Sequence, residues 1–430
     1  MESRKEDDLF EINETNIIIS NLLKNLHNSS IESCTIFKVN VGLRESNPDA
    51  YTPMMVSIGP YHRENPRLDP MKTHKLLYLR RFLGRKEGLD LNNCISELHK
   101  LKEEAQKCYE EHGYDFLPML LLDGCFVVEF IREYCEICPE GEAGIIIDDR
   151  ASYIFRDLML LENQLPFFVL NKLHSMTKQV NEPSLVILVN YLCTSYFGGM
   201  VKRTWSSECN NIGNIKHLLH LLHIFSCSEI NPMEKSDYKI TYYKAMPNAT
   251  ELSEAGVSFA KVDDAKVDDM PSLLDIKFDS GLMTIPRLLV ERYTETLLRN
   301  LIAYEQQSSD VYSIHFSDYA IFMDHLIDSE KDVNLLRQKG IIVNLMGEDK
   351  NVASLFNKIG NGVTTYPDFY YNKEFKQAIE YSEKPWNRMK ANLKHNYFSS
   401  PWVGASTVAA IILLILTTIQ TILAFTGSVK

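Results

Sequence analysis

Between Trp402 and Phe425 the chain reads WVGASTVAAIILLILTTIQTILAF, 24 residues with no ionisable side chain and Gln420 as the one strongly polar interruption. As a helix this run is roughly 36 Å long at about 1.5 Å per residue, enough to cross a hydrocarbon layer of about 30 Å with some tilt. The pattern predicts a membrane span over 402–425, followed by a short tail over 426–430. Tyr397, Phe398 and Trp402 stand where an aromatic belt lies, while Lys384, Arg388, Lys390 and Lys394 precede the run and Lys430 follows it. The basic side is therefore expected in the cytosol. Ala405/Ala409 and Ser406/Ala410 repeat small residues every four positions, which lets a second helix approach closely, although small residues are common in any span.

The other end of the chain, MESRKEDDLFEINETNIIIS, is acidic and shows neither a basic start nor an adequate apolar region for a secretory signal. Insertion is then expected to be late, as a tail anchor in the plasma membrane or an endomembrane, with the large domain cytosolic and an extracellular placement as the alternative. A GPI signal also ends in an apolar tail, but it needs an entry signal and a polar spacer, and neither is visible. Sequons at Asn13, Asn28 and Asn248 matter only if the domain faces a lumen, and so offer a test of topology.

Composition bounds the rest. Hydrophobic residues at 45% with 24% charged exclude wholesale disorder, and sparse Gly (19) and Pro (16) with no linker-like stretch predict one large body. A net charge of −12 repels phosphate backbones and argues against nucleic-acid binding. Nine cysteines between Cys34 and Cys227 form no even framework, and Cys135–Cys138 is a lone CxxC without a second pair, so buried or idle thiols are expected.

Apolar residues recur mostly at helical spacing. Residues 71–85 read as an amphipathic helix with Leu76, Leu79, Phe82 and Leu83 on one stripe and Lys72, Lys75, Arg80, Arg81 and Arg85 elsewhere, a basic set read as a solvated face or one that meets anionic lipid or an acidic partner. Further helices are expected over 115–135, 151–173 broken at Pro166, 184–197 as a buried core helix, 212–225, 291–304, 318–327, 333–339 and 351–359, with Gly340 and Gly360 as C-caps. LLDIKFDSGLMTIP predicts a hairpin turning at Asp279-Ser280-Gly281. The doubled KVDDA/KVDDM before it is expected as an acidic loop insertion over 260–271. The expected fold is mainly α: a variable segment over 1–34, a single large helical domain over 35–398 with a small β-hairpin, and one C-terminal transmembrane helix.

Candidates for chemistry are few. His217, His220 and His223 repeat every three residues on one predicted helix and fan across about 120°, whereas a metal wants i, i+4 pairs or ligands from several elements. Asp123 with Glu129, or Glu162 beside Asn163 and Gln164, could pair as acid and base, but read equally well as caps and buried polar satisfiers. The phosphate loop, the dinucleotide fingerprint, the nucleophile elbow and the zinc helix motif all fail to match. No catalytic, cofactor or metal residue is assigned, and a non-enzymatic protein is expected, with a membrane-surface enzyme of dispersed site or a passive tether as alternatives.

Longer phrases carry a family. NPDAYTPMMVSIGP with Tyr61-His62, HKLLYLR from His74, LDGCFVVE from Leu122, DLMLLENQLPFFVL from Asp157, ATELSEAGV from Ala249 and TETLLRNLIAYEQ from Thr294 occur in order, and the match continues into the terminal span. The chain resembles the plant family catalogued as domain of unknown function 247, from about Thr35 to Phe425. The motif positions are Asp49, Tyr51, Pro53, Gly59, Pro60, His62, Asp123, Gly124, Glu162, Asn163, Gln164, Pro166 and Glu305. The resemblance implies a helical plant protein with one C-terminal span and no established catalytic residue. Some grass members resemble pollen-side determinants of self-incompatibility, and another member is linked to suppression of female organ development, so it implies recognition or signalling through protein partners, including homo- or hetero-oligomers. The acidic insertion departs from the family's usual short link at that point.

Physically, NPDAYTP reads as a proline-flanked polar turn and VSIGP as a short buried strand, the two pinning the N-terminal segment onto the helical body. In LENQLP, the polar groups of residues 162–164 can satisfy backbone left open by Pro166.

Overall fold

The computed structural model describes residues 15–20, 34–113, 115–137, 144–146, 148–197, 214–227, 245–262, 272–309, 311, 314–364, 369–397 and 401–427. Most of the variable N-terminal segment, the sequons Asn13 and Asn28, Cys138 and residues 263–271 of the acidic insertion lie outside that set. The described chain is predominantly helical with two small sheets. The helical region expected over 35–398 gathers into two compact units, residues 1–228 with 295–314, and residues 229–294 with 315–430.

The first unit follows α1 (residues 15–20) and a single turn, α2 (Val41–Arg44), with α3 (Met71–Gly84), α4 (Leu91–Lys107), α5 (Phe116–Tyr134), α6 (Asp148–Leu158), α7 (Phe167–Thr177), α8 (Leu185–Tyr196) and α9 (Leu218–Cys227). At its centre lies α5, which packs against α3, α4, α7 and α8. The sequence requires this: α5 is apolar nearly all round, and such a helix must be enclosed. Pro118 sits in its first turn, where no amide donor is needed. Gly124 faces α7 so closely that a β-carbon there would stand 2.4 Å from Leu173 Cδ1. The apolar run from 184 forms α8, a buried core helix of 12 residues that is too short to span a bilayer.

The second unit contains α10 (Ala249–Glu254), β1 (Ser258–Lys261), β2 (Lys277–Asp279), β3 (Leu282–Ile285) and β4 (Leu288–Val290). After α11 (Thr294–Gln307), whose residues from 295 belong to the first unit, it continues with α12 (His315–Leu326), α13 (Glu330–Gln338), β5 (Ile342–Asn344), α14 (Asp349–Ile359), α15 (Asn372–Ser382), α16 (Pro385–Tyr397) and α17 (Pro401–Gly427). The expected hairpin forms: β2 and β3 pair antiparallel with Phe278 opposite Met283, across Ser280 (φ 49°) and Gly281 (φ 87°). Two left-handed residues in a two-residue connection are what a hairpin matching strand twist demands.

Four differences from the sequence reading have physical causes. Strand is not confined to the hairpin: β1 pairs parallel to β3 and β4 parallel to β5, short segments whose partners are distant in sequence and so leave no local alternation to read. β1 also takes in Ala260 and Lys261, at the start of the expected loop insertion. Of the two expected C-cap glycines, Gly360 does hold the C-cap of α14 but is right-handed (φ −75°), the left-handed glycine there being Gly362, while Gly340 (φ 72°) comes one residue after the Lys339 cap of α13. The basic set on and just after α3 is divided: Lys72 and Arg80 are exposed as expected, but Lys75, Arg81 and Arg85 turn inward to carboxylates of α5, while Leu76 of the expected apolar stripe is 57% exposed. An ion partner on another helix overrides the polarity that a helical wheel assigns outward.

Candidate functional site

Three motif residues from the helical body, Asp123, Glu162 and Asn163, converge on the stretch of backbone that carries the N-terminal motif, residues 36–62. Pro48, Pro53 and Pro60 deny it a ladder, and Val56 and Ile58 are nevertheless fully buried, so its amides need other acceptors. The expected VSIGP strand is therefore absent, and side chains take the place of a neighbouring strand. Asp157 Oδ2 accepts from Met54, Met55 and Val56 amides at 3.0, 2.6 and 3.0 Å. Asn163 accepts from the Ile58 amide at 2.7 Å and donates to Val56 O and Asp157 O. Asp123 accepts from the Gly59 amide at 3.0 Å. Arg156 donates to the carbonyls of Asp49 and Thr52, Asn300 of α11 to that of Ala50, and Lys75 to that of Ser57. Gly59 is left-handed (φ 78°), and a β-carbon there would meet Gln164 O at 2.7 Å, so both conformation and space require glycine.

Glu162, Asn163 and Gln164 serve mostly remote backbone rather than the groups beside Pro166. Glu162 takes the Val39 amide at 2.6 Å, pairs with Arg44 and stands 3.1 Å from His62 Nε2. Burial alone would raise its carboxyl, but His62, Arg44 and the Val39 amide outweigh that and hold it below the usual range. Gln164 donates to the carbonyls of Leu158 and Leu160 before the proline and accepts from Leu219. Tyr51 and Pro53 are buried in the same block, and Tyr51 lies under the Arg44 guanidinium at 5.4 Å, while Asp49 is exposed and contributes its carbonyl.

A second array joins α5 to its neighbours. Glu129 Oε1 accepts from Arg85 and Arg132 at 2.7 and 2.8 Å, and Arg132 reaches Glu182 through Nε and Nη2 at 2.6 and 3.2 Å. Glu182 also meets His174 Nε2 at 2.9 Å. Glu133 pairs with Arg81 and accepts from the amides of Ile145 and Ile146. Every oxygen of Asp123 and Glu129 is thus held by an internal donor, Glu162 Oε1 accepts from the Val39 amide and Arg44 while its Oε2 faces His62, and Asp123 and Glu129 serve different partners.

The three histidines do come together, around one aromatic ring. The rings of His217, His220 and His223 stand 5.3, 5.5 and 5.6 Å from the ring of Tyr304 on α11. Their nitrogens serve separate tasks: His217 Nδ1 accepts from the His220 amide, His220 Nδ1 accepts from the Lys216 amide, and His223 Nε2 meets Glu305 at 2.9 Å. Among the described residues, no group of three His, Cys, Asp or Glu side chains could hold a metal ion. Burial, with His220 and Lys216 close by, keeps His217 neutral, its ring well below the usual histidine range. Burial also opposes a charge on His223, but Cys227 and Glu305 overcome it and push that ring up to about 10. A raised value means stability fully present below pH about 6.5 and lost as pH rises through about 10. In denaturant titrations at stepped pH, His223→Gln should therefore lose stability at neutral pH and flatten the alkaline decline; an unchanged alkaline limb would show that His223 does not set it.

At the other end of the chain, Ala405–Ala424 of α17 has a mean hydropathy of 2.3 and no part of it is buried in the protein. It is the one helix among the described residues long and apolar enough to cross a membrane, and Ala405, Ala409 and Gln420 lie along it, with Trp402 and Phe425 within α17 towards its ends. A cavity of about 520 Å³ is lined by residues that include Phe130, Glu133, Tyr134, Glu136, Ile146 and Tyr191, none of them a motif position. Sequence reasoning missed Arg132, Asp157 and Asn300, whose roles depend on partners in other elements. It also read Asn248 only as a sequon; the side chain caps α10 in a capping box, and Thr250 Oγ1 donates to Asp332 at 2.6 Å.

Comparison with known sequences gives consistent relatives. The family described as DUF247, plant protein of unknown function, matches residues 36–416. A UPF0481 protein of Arabidopsis thaliana is 30% identical over 426 residues, which cover 93% of this chain and 88% of that protein. A second UPF0481 protein of the same plant is 24% identical over 487 residues, covering 92% and 90%. No solved structure matches.

Proposed function

Because the chain belongs to the DUF247 family of plant proteins of unknown function, we propose that it is a membrane-anchored, non-enzymatic protein that acts in recognition or signalling through protein partners. The observation that carries this reading is α17: an apolar 20-residue stretch with no burial in its own protein needs another apolar environment, and its length suits a bilayer. The commitment of Asp123, Glu129 and Glu162 to internal donors supports the non-enzymatic part, since a general acid or base must be able to reach a substrate proton. The basic residues ahead of α17 support a cytosolic placement of the folded units. The family resemblance extends the proposal to reproductive recognition of the self-incompatibility kind.

The test uses the full chain in plant cells with a reporter at each end, combining protease access in sealed vesicles, sequon occupancy and proximity labelling. Asn13 and Asn28 are the informative sequons, because Asn248 is engaged in capping α10. Expected are unmodified sequons, digestion from the cytosolic side and a reproducible set of labelled proteins. Glycans on a protected domain would move recognition to the extracellular side and reopen disulfides among the cysteines. A chain recovered wholly in the soluble fraction, or one with no labelled partner in its own tissue, would overturn the proposal.

A further inference from the structure

The chain as a whole is acidic, yet from Lys384 to Lys430 it contains no Asp or Glu and carries Lys384, Arg388, Lys390, Lys394 and Lys430. Four of these five cations fall on or immediately before α16 (Pro385–Tyr397). Within this helix Asn387 and Ala391 are partly buried, in keeping with α16 packing against α10, and Asn387 donates to Tyr381 O at 2.8 Å. The opposite exposure is unusual in kind: Trp386 is 74% exposed and Met389 45%, with Lys384, Arg388 and Lys390 exposed around them. A large aromatic and a methionine left in water beside cations describe an amphipathic face that wants an interface with both apolar and anionic character.

The chain itself says where that interface lies. Three residues separate Tyr397 from Pro401, where α17 begins. Four such steps reach at most about 14 Å, while the headgroup regions and hydrocarbon core together are about 40–45 Å thick. Once α17 is in a bilayer, the end of α16 is held in or beside the headgroup layer. We propose that α16 is an interfacial helix that binds anionic lipid, with Trp386 and Met389 entering the headgroup–acyl boundary and Lys384, Arg388 and Lys390 meeting lipid phosphates and carboxylates. The inference rests on the membrane reading of α17 and adds to it a lipid preference and a fixed approach of α16 to the bilayer surface. Attraction must be local, because the remainder of the chain is repelled by an anionic surface.

The chain has three tryptophans, Trp205, Trp386 and Trp402. Full-length protein is reconstituted in nanodiscs containing brominated lipid, either wholly zwitterionic or with phosphatidylserine. In a Trp205→Phe/Trp402→Phe background only Trp386 emits, and in a Trp205→Phe/Trp386→Phe background only Trp402 does. Expected is quenching of Trp386 in the anionic discs approaching that of Trp402, weaker quenching in the zwitterionic discs, and a loss with salt as the Debye length falls from about 10 Å at 0.1 M to about 3 Å at 1 M. Lys384→Glu/Arg388→Glu/Lys390→Glu should abolish the Trp386 signal and leave that of Trp402. Quenching of Trp402 with none of Trp386 would overturn this proposal and leave the anchor intact. Equal quenching of Trp386 in both discs, indifferent to salt, would overturn the anionic preference. Absence of both signals would overturn the membrane reading itself.

Discussion

Arg132→Met is expected to destabilise the first unit by about 3–5 kcal/mol, the range for breaking a buried ion network from one side. Arg132 and Glu129 are completely buried and Glu182 is 7% exposed, so neither carboxylate can recover by turning to solvent. Glu129 would keep Arg85 and Glu182 would keep His174, but each would lose a short charged donor and Thr177 Oγ1 would lose its bond from Nη1. Arg132→Lys should rescue little, because one ammonium cannot reproduce a fork that reaches both oxygens of Glu182. The acid limb gives a second readout. Burial would raise Glu182, yet His174, Arg132 and the Gln179 amide hold its carboxyl down at about 2. Its contribution is thus present above the ordinary value near 4.5 and lost as pH falls towards 2. In Arg132→Met the acid transition should move to higher pH. Urea titrations from pH 2 to 7 measure both effects, and a loss under 1 kcal/mol with an unmoved acid limb would refute the assignment.

Asp157→Asn is expected to have an effect of similar size, on the order of 3 kcal/mol, through a different fault. The carboxylate accepts from three consecutive amides and from Arg156 Nη1 at 2.7 Å. Burial raises the carboxyl above the usual carboxylate range even though those three amides and Arg156 pull it down, so the acceptor geometry offered to the amides is what the site depends on. An asparagine keeps one acceptor oxygen and turns an NH2 towards donors, leaving buried amides unmet. The Met54, Met55 and Val56 amides should then lose hydrogen-exchange protection first, and residues 36–62 should become the earliest site of limited proteolysis. Protection unchanged at those amides, with destabilisation spread evenly over α3 to α9, would mean that Asp157 acts only as a general core group.

Much of the helical frame was legible because it follows from periodicity. The helices α3, α5, α8 and α11 to α14 fall near the expected ranges, and Pro166 separates α6 from α7. α4 was missed because its buried residues Cys94, Leu98 and Ala105 make too sparse a stripe. The hairpin was legible because Asp279-Ser280-Gly281 is a local turn signal, whereas β1, β4 and β5 pair across long separations. LENQLP was expected to satisfy backbone left open by Pro166, and its polar groups do serve backbone, but mostly backbone far from the proline. The partners lie as far away as Val39, 123 residues from Glu162, and Val56, 107 residues from Asn163.

What the sequence determined by itself is therefore what depends on neighbouring residues: helical periods, a two-residue turn, proline breaks and a charge-free apolar run long enough for a bilayer. Only the tertiary structure decided where charge is spent. It turned Lys75, Arg81 and Arg85 inward, gathered three histidines around Tyr304, and gave a proline-rich segment side-chain acceptors instead of a neighbouring strand. The physical reason is that burying a polar group is tolerated only with a partner, and partners come from anywhere in the chain that packing brings close.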